Sequence, residues 1–287
     1  MNAAERQRPP AGELCLDHLA HFVPDLGAAA KVLENLGFKV TPEAAHRAQG
    51  APAGTSNRCV MLEEGYLELL APTLDTPNAQ RVRDAMQRFV GVHLACFGTP
   101  DAAAERRRLA DHGFEPEPLV NLERSVEGGG LARFNVIYVP PGRMAEGRVQ
   151  YVEQLTPEHV WQEGFVNPFR LTGVYVVARD PAQTAARWAR FAGLLPRPQG
   201  ELVNLECARG RVVIGTPRTL SALLGELPPA PALAGYALAC GHPEALAARC
   251  SDHGMAVRKT AEGYSVSLPA VLGGAWLLSG RSSPADG

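Results

Sequence analysis

The 287-residue sequence predicts an α+β protein of four β-α-β-β-β modules arranged as two paired-module half-barrel domains. Three observations predict this class. A β-like run, a Pro/Asp-bearing turn and an Ala/Arg-rich helical segment recur four times in the same order. Several short strand-like runs follow each helix, where an alternating α/β chain would give one. Asp-His-Gly closes the helix in both the second copy (111–113) and the fourth (252–254). A fixed-order repeat decides the fold before any local propensity does.

The first module opens with the β-like run LCLDHLAHFV (14–23). Asp25 is placed to cap the helix that follows, and Gly37 to stop it. Strands are expected over 38–42, 58–62 and 66–72, with HRAQGAPAGTSN (46–57) as a loop. The order restarts at Val90 with VGVHLACF, a helix ending at Gly113, and strands near 114–118, 133–139 and 148–155. A third copy begins at Leu171 and a fourth near Gly235. One such unit leaves a sheet face uncovered, so units must pair, two sheets enclosing a cleft. The expected organisation is a loose tail over 1–13, a module pair over 14–163 and a second pair over 164–287.

Composition narrows the function classes. Lys and Arg (28) are balanced by Asp and Glu (30), which gives no basic face for nucleic acid. No run approaches the ~20 apolar residues of a membrane span. Residues 1–12 carry no apolar core and do not read as a signal peptide. The six cysteines form no CxxC pair and read as small buried hydrophobes of a cytoplasmic protein. A small-molecule substrate is the expected partner.

The chemistry-bearing residues follow the repeat. His18 and His93 lie on the first strands of modules one and two, and Glu68 and Glu153 on the last. The separations, 75 and 85 residues, are close to one repeat length. Pseudo-symmetry is therefore expected to bring the four together. Two imidazoles and two carboxylates suit a divalent first-row ion such as Fe, Mn, Ni, Co or Zn. A mid-strand Glu is costly to bury unless paired or metal-bound. Arg124 and Arg133, near the middle strands of module two, read either as anchors for a substrate carboxylate or as surface charge. His21 is expected to face away from His18, and His46 to be a solvated loop residue.

These residues carry a family resemblance. LDHLAHFVPDLGAAAKVLENLGF, GTSNR and GYLELLAP, then GVHLACF and YVEQLTPEHVW, are similar to glyoxalase-like members of the vicinal-oxygen-chelate superfamily. The resemblance is strongest over 14–162. It implies His18, Glu68, His93 and Glu153 as metal ligands, with Glu68 or Glu153 as the proton-transferring base. Gly54-Thr55-Ser56-Asn57 resembles a GTxN stretch of such relatives, which implies Asn57 in the pocket wall. Four protein ligands imply a lyase, isomerase or epimerase using Lewis-acid-assisted proton transfer. The alternatives are an iron-dependent extradiol-type dioxygenase and a non-catalytic small-molecule binding or resistance protein. Alignment of Asp25 with Asp180 puts Gly173 where His18 stands, and alignment of Pro100 with Pro243 puts Tyr236 where His93 stands. The second half thus reads as a metal-free copy kept for packing, shielding or joining two chains as a homodimer.

Overall fold

A computed structural model describes residues 2–126 and 130–281. Module one contains β1 (Cys15–Phe22), α1 (Leu26–Asn35), β2 (Ala44–Ala48), β3 (Ala51–Glu64) and β4 (Tyr66–Pro72). Helix α2 (Pro77–Arg88) leads to β5 (Gly91–Gly98), α3 (Ala102–Asp111), β6 (Val120–Ser125), β7 (Leu131–Ile137) and β8 (Arg148–Gln154). After the short α4 (Pro157–Val160), the third module has β9 (Val166–Val177), α5 (Pro181–Ala192), β10 (Pro196–Gln199), β11 (Leu202–Glu206) and β12 (Arg211–Gly215). Helix α6 (Pro217–Leu224) joins it to β13 (Ala232–Cys240), α7 (Pro243–Asp252), β14 (Val257–Thr260), β15 (Gly263–Ser267) and β16 (Ala275–Gly280). The four-module α+β reading is the observed fold.

The turns that repeat in sequence repeat in geometry. The side chains of Asp25, Asp101 and Asp180 each accept a hydrogen bond from a backbone N–H three residues on, at Ala28, Ala104 and Gln183. Such caps satisfy N–H groups that a helix leaves open at its first turn, worth about 1 kcal/mol apiece. The fourth copy has His242 there and no side-chain cap.

Four local expectations need correction. Residues 114–118 belong to no strand, since β6 begins only at Val120. Residues 38–42 are not a strand, because the Asn167 side chain takes both Lys39 N–H and Lys39 C=O, and Pro42 has no N–H to donate. The segment expected as a loop at 46–57 is instead a β-hairpin, β2 to β3. It turns at Gln49 and Gly50, whose φ of 53° and 76° suit a primed two-residue turn. The expected loose tail is docked. Gln7 is fully buried, its amide donating to Glu63 C=O (2.9 Å) and accepting from Gly65 N–H (2.9 Å). No sequence pattern announces that one side chain closes the β3–β4 turn from outside.

The first eight strands form a continuous hydrogen-bonded ring, β1-β4-β3-β2-β6-β7-β8-β5 and back to β1. The β2–β6 ladder is its shortest seam, with Arg47 opposite Glu123 and Ala48 opposite Leu122. The other eight strands run β10-β11-β12-β9-β13-β16-β15-β14, with β10 and β14 unpaired on their outer sides. Those edges carry Pro196 and Pro198 on β10 and Arg258 and Lys259 on β14. Proline removes donors and buried-edge charge is costly, so both discourage pairing with another chain.

The two halves share one core. Leu19, Val92 and Phe97 from the outer face of the ring pack in the same cluster as Val174, Trp188, Tyr236 and Trp276. Strand β9 also runs parallel to the end of β3, Met61 opposite Val166. His21 faces this junction, away from His18 as expected. Its Nδ1–H donates to Leu272 C=O (2.9 Å), so the neutral ring offers Nε2 to the Tyr236 hydroxyl (2.9 Å).

Burial pushes the His21 pKa down to about 4. The unfolded chain therefore binds the extra proton between about pH 6.5 and 4 while the folded chain does not. Stability from this group is intact above pH 6.5 and is lost as pH falls toward 4, by at most ~3 kcal/mol. The urea midpoint is expected to drop from pH 7 to pH 4.5, and His21→Gln to lower the pH 7 midpoint while flattening that drop. A slope identical in the variant would remove His21 from the acid response.

Candidate functional site

Inside the ring, strand alternation puts Tyr66, Glu68 and Leu70 of β4 inward, with Arg148, Gln150 and Val152 of β8 facing them across a cavity of about 370 Å³. Helix α2 lies over the mouth and supplies Pro77, Asn78 and Arg81 to the wall. It can dock there because residue 54 is glycine. A Cβ on Gly54 would meet Thr76 Oγ1, the α2 cap, at 2.1 Å, and φ there is +82°.

His18 owes its aim to a β-bulge. Between Leu16 and His18 the β1–β5 register shifts, which leaves Asp17 out of the ladder. Asp17, fully buried, sits 2.6 Å from His18 Nδ1 and also receives the Gln154 amide at 3.2 Å. The carboxylate fixes Nδ1 as the protonated nitrogen, so Nε2 is the atom His18 presents. Nε2 lies 3.9 Å from Glu68 Oε2, and the ring stacks on Tyr66 at 4.3 Å. Glu68 Oε1 accepts from Asn57 Nδ2 at 2.6 Å and lies 3.6 Å from His46 Nε2.

His46, expected in solvent, is therefore part of the site. It is buried, its Nδ1 is 3.1 Å from Thr55 Oγ1, and burial pulls its pKa down to about 4 despite the Glu68 charge beside it. Arg124 is buried in the same wall. Burial works against its charge, but Cys59, Tyr66 and Glu68 together hold its pKa above the ordinary arginine value. Buried acceptor atoms Asn57 Oδ1 and Gln150 Oε1 have no hydrogen-bond partner.

The expected four-ligand set does not converge. His18 and Glu68 meet, but His93 and Glu153 lie elsewhere. His93 Nε2–H donates to Phe89 C=O (2.7 Å), and its ring is stacked on both Phe89 and Phe22. Glu153 alternates with the cavity-lining residues of β8 and so points out of the ring, where it accepts from Asn135 Nδ2 at 2.8 Å. Arg133 is likewise on the outer face, about half exposed and 3.5 Å from Glu123.

The pseudo-symmetry explains why. The capping Asp25 and Asp101, and the bounds of α1 and α3, are offset by 76 positions. That offset puts Leu94, not His93, in the place of His18. The bounds of β4 and β8 are offset by 82, so Gln150, not Glu153, matches Glu68. The paired registers agree, with Ala20 opposite Glu68 and Cys96 opposite Gln150.

The profile of the glyoxalase-like domain matches residues 16–192, well over half the sequence. The chain belongs to the glyoxalase-like domain family. This family lies within the vicinal-oxygen-chelate superfamily. Solved structures resemble the glyoxalase-like chain in fold. A hypothetical protein from Staphylococcus aureus has a TM-score of 0.67 at 14% identity, covering 93% of this chain and 100% of its own. A triple mutant of 4-hydroxymandelate synthase from Streptomyces coelicolor has a TM-score of 0.57 at 15% identity, covering 94% of each. A xylose isomerase-like TIM barrel/4-hydroxyphenylpyruvate dioxygenase fusion protein has a TM-score of 0.57 at 10% identity, covering 98% of this chain and 51% of its own. No curated protein matches the sequence.

Members of the superfamily usually bind a divalent metal. Among the described residues of this glyoxalase-like chain, no group of three or more His, Cys, Asp or Glu side chains is arranged to hold one. The half-site of His18 and Glu68 is faced by Leu94, which has no donor atom, and by the neutral amide of Gln150. A four-donor centre does not fit these residues.

If the 76 and 82 offsets are the true equivalences, Leu94→His with Gln150→Glu is expected to tighten Zn²⁺ or Co²⁺ binding by at least ~10-fold. Glu153→Ala is expected to leave metal content unchanged, as measured by dialysis and elemental analysis. Loss of metal in Glu153→Ala equal to that in His18→Ala would reverse the assignment.

Proposed function

We propose that the protein is a glyoxalase-like enzyme, an isomerase, epimerase or lyase, that moves a proton on a small oxygenated anion. One observation carries the reading. A buried carboxylate, Glu68, is flanked by an oriented imidazole and an amide donor inside a cavity whose wall holds Arg124.

Each residue has a task that its geometry supports. Asn57 holds Oε1 of Glu68, leaving Oε2 toward His18. Glu68 is the proton acceptor for a carbon acid beside a carbonyl. A base held in place inside the cavity is effective because it needs no reorganisation to reach the proton. Arg124 faces the same space and offsets the negative charge that develops on the carbonyl oxygen, a role that low local dielectric strengthens. The proton returns to the neighbouring carbon in an isomerase or to the opposite face of the same carbon in an epimerase, or a β-substituent leaves with the electron pair in a lyase. His18 Nε2, fixed by Asp17, can take the proton from Glu68 or return it. The cavity's three arginines, Arg81, Arg124 and Arg148, outnumber its two glutamates, Glu68 and Glu117, which favours an anionic substrate.

A small-molecule binding role is separated by turnover.

The test is deuterium incorporation from D₂O into a panel of 2-oxo and 2-hydroxy carboxylates, followed by NMR, with and without added Fe, Mn, Ni, Co or Zn. Exchange by the wild type is expected to slow by ~10²–10⁴ in Glu68→Gln and less in His18→Gln. Exchange untouched by Glu68→Gln would sink the assignment. Saturable binding with no exchange on any member would favour the binding role.

A further inference from the structure

A second cavity of about 400 Å³ adjoins the first, and Arg81, Tyr138 and Arg148 line both. Apart from Arg81, Asp84, Arg88 and His93, its wall is mostly apolar, with Phe22, Ala85, Pro140, Met144 and Val149. Nothing in the proton-transfer reading uses this space. His93, which the sequence suggested as a ligand of the first cavity, belongs to its wall.

Arg148 is the partition between the two spaces. Its guanidinium lies 5.6 Å from the centre of the Phe22 ring and 5.9 Å from that of Tyr138, and Nη2 donates to Asn78 Oδ1 at 3.1 Å. Asn78 is a neutral amide. Among the described residues no carboxylate forms an ion pair with Arg81, Arg124 or Arg148 within 4.0 Å. Burial lowers the Arg148 pKa, and neighbouring Arg81 adds to that effect. A guanidinium clamped between two rings, with little charge compensation and two cavities beside it, is built to meet an external anion.

We propose that the two cavities take one elongated amphiphilic anion. Its carboxylate or phosphate sits on Arg148, its oxygenated reactive end reaches Glu68, and an apolar tail fills the space beside Phe22, Met144 and Val149. The tail cavity accounts for the size of the second space and for its apolar wall. Helix α2 covers both spaces and carries Asn78, Arg81 and Ala85 on the side that faces them. This inference rests on the first cavity being the substrate site, but its test reads binding and needs no turnover.

The experiment is isothermal titration of the full chain with two ladders, 2-hydroxyalkanoates and n-alkyl phosphates, from three to ten carbons. Affinity is expected to rise roughly threefold to fourfold per methylene until the tail cavity is full. The ladder that binds more tightly identifies the head group. Ala85→Trp, which fills the second cavity from the half-buried face of α2, is expected to abolish the length dependence while leaving the shortest ligands unchanged. Arg148→Gln is expected to weaken every member at least ~10-fold. Affinity independent of length in the wild type would overturn the proposal. So would an Ala85→Trp loss equal for short and long ligands, with the thermal midpoint of the variant preserved. Failure of the deuterium-exchange assay with an intact length ladder would overturn the proton-transfer reading alone.

Discussion

The β1–β5 ladder sets almost every other feature of this protein. The two strands run antiparallel at the centre of the ring, and each then pairs in parallel with the last strand of its own module. Because side chains alternate along a strand, this register decides which residues see the cavity and which see the shared core. His18 and Ala20 look inward, whereas Leu19 and His21 meet the other half. Two register shifts interrupt this ladder, and the first, near Asp17, is what allows an acid and a histidine at consecutive positions to act on each other inside the ring. Without the first shift, Asp17 and His18 would project to opposite faces, and Nε2 of His18 would have no fixed role.

The fold was legible because its signals are periodic and local. Strand, Pro/Asp turn and helix recur, and in three of the four modules the capping position is an aspartate that bonds as such a residue should. The site was only half legible, and the reason is register. The tripeptide His-Leu-Ala occurs at 18–20 and again at 93–95, and it invites an offset of 75. The aspartate caps and glycine stops demand 76. A single-residue difference is invisible in composition, yet it moves His93 off the equivalent position. The same holds for Glu153, which stands three places beyond Gln150. Anchoring the comparison on Asp25 and Asp101, instead of on the histidines, would have identified Leu94 in advance. His46 and Arg148 had no such signal. The first lies in a hairpin whose Ala, Gly and Gln content resembles a loop, and the second gains its meaning only from the two cavities it divides.

The two halves show what one architecture does with and without a ring closure. In the first half, β2 reaches β6 and the enclosed space keeps polar groups. In the second, β10 and β14 do not meet, and α6 delivers Leu220 and Leu224 to the inner face beside Val213, Ala234 and Leu277. Leucines thus occupy the inner side of that half-barrel, and burying them there is favourable by about 25 cal/mol per Å². Helix α2 stands at the corresponding junction of the first half, but it presents Asn78, Arg81 and Ala85 to the cavities instead of a row of leucines. The connecting helix is therefore the element that separates a packed half from a hollow one.

Hollowness brings an electrostatic consequence. Buried polar groups in a folded protein are almost always satisfied, and those that are not need an explanation. Two of the exceptions, Asn57 Oδ1 and Gln150 Oε1, lie on the cavity wall beside arginines with no carboxylate bound to them, while others, such as Tyr175 Oη, Asn204 Oδ1 and Trp276 Nε1, lie in the second half. Among the described residues of the second half, the buried polar side chains are Asn167, Thr184, Asn204 and Ser265, none of them charged. Leaving such groups in place costs stability of the order of 1–3 kcal/mol for each unmet donor or acceptor. On the cavity wall that cost falls where a ligand can offset it. The cavity of the first half is thus set apart by its volume and by Arg81, Arg124 and Arg148 on its wall, which suit an anion, while the two unmet amide oxygens suit a hydrogen-bond donor such as a hydroxyl.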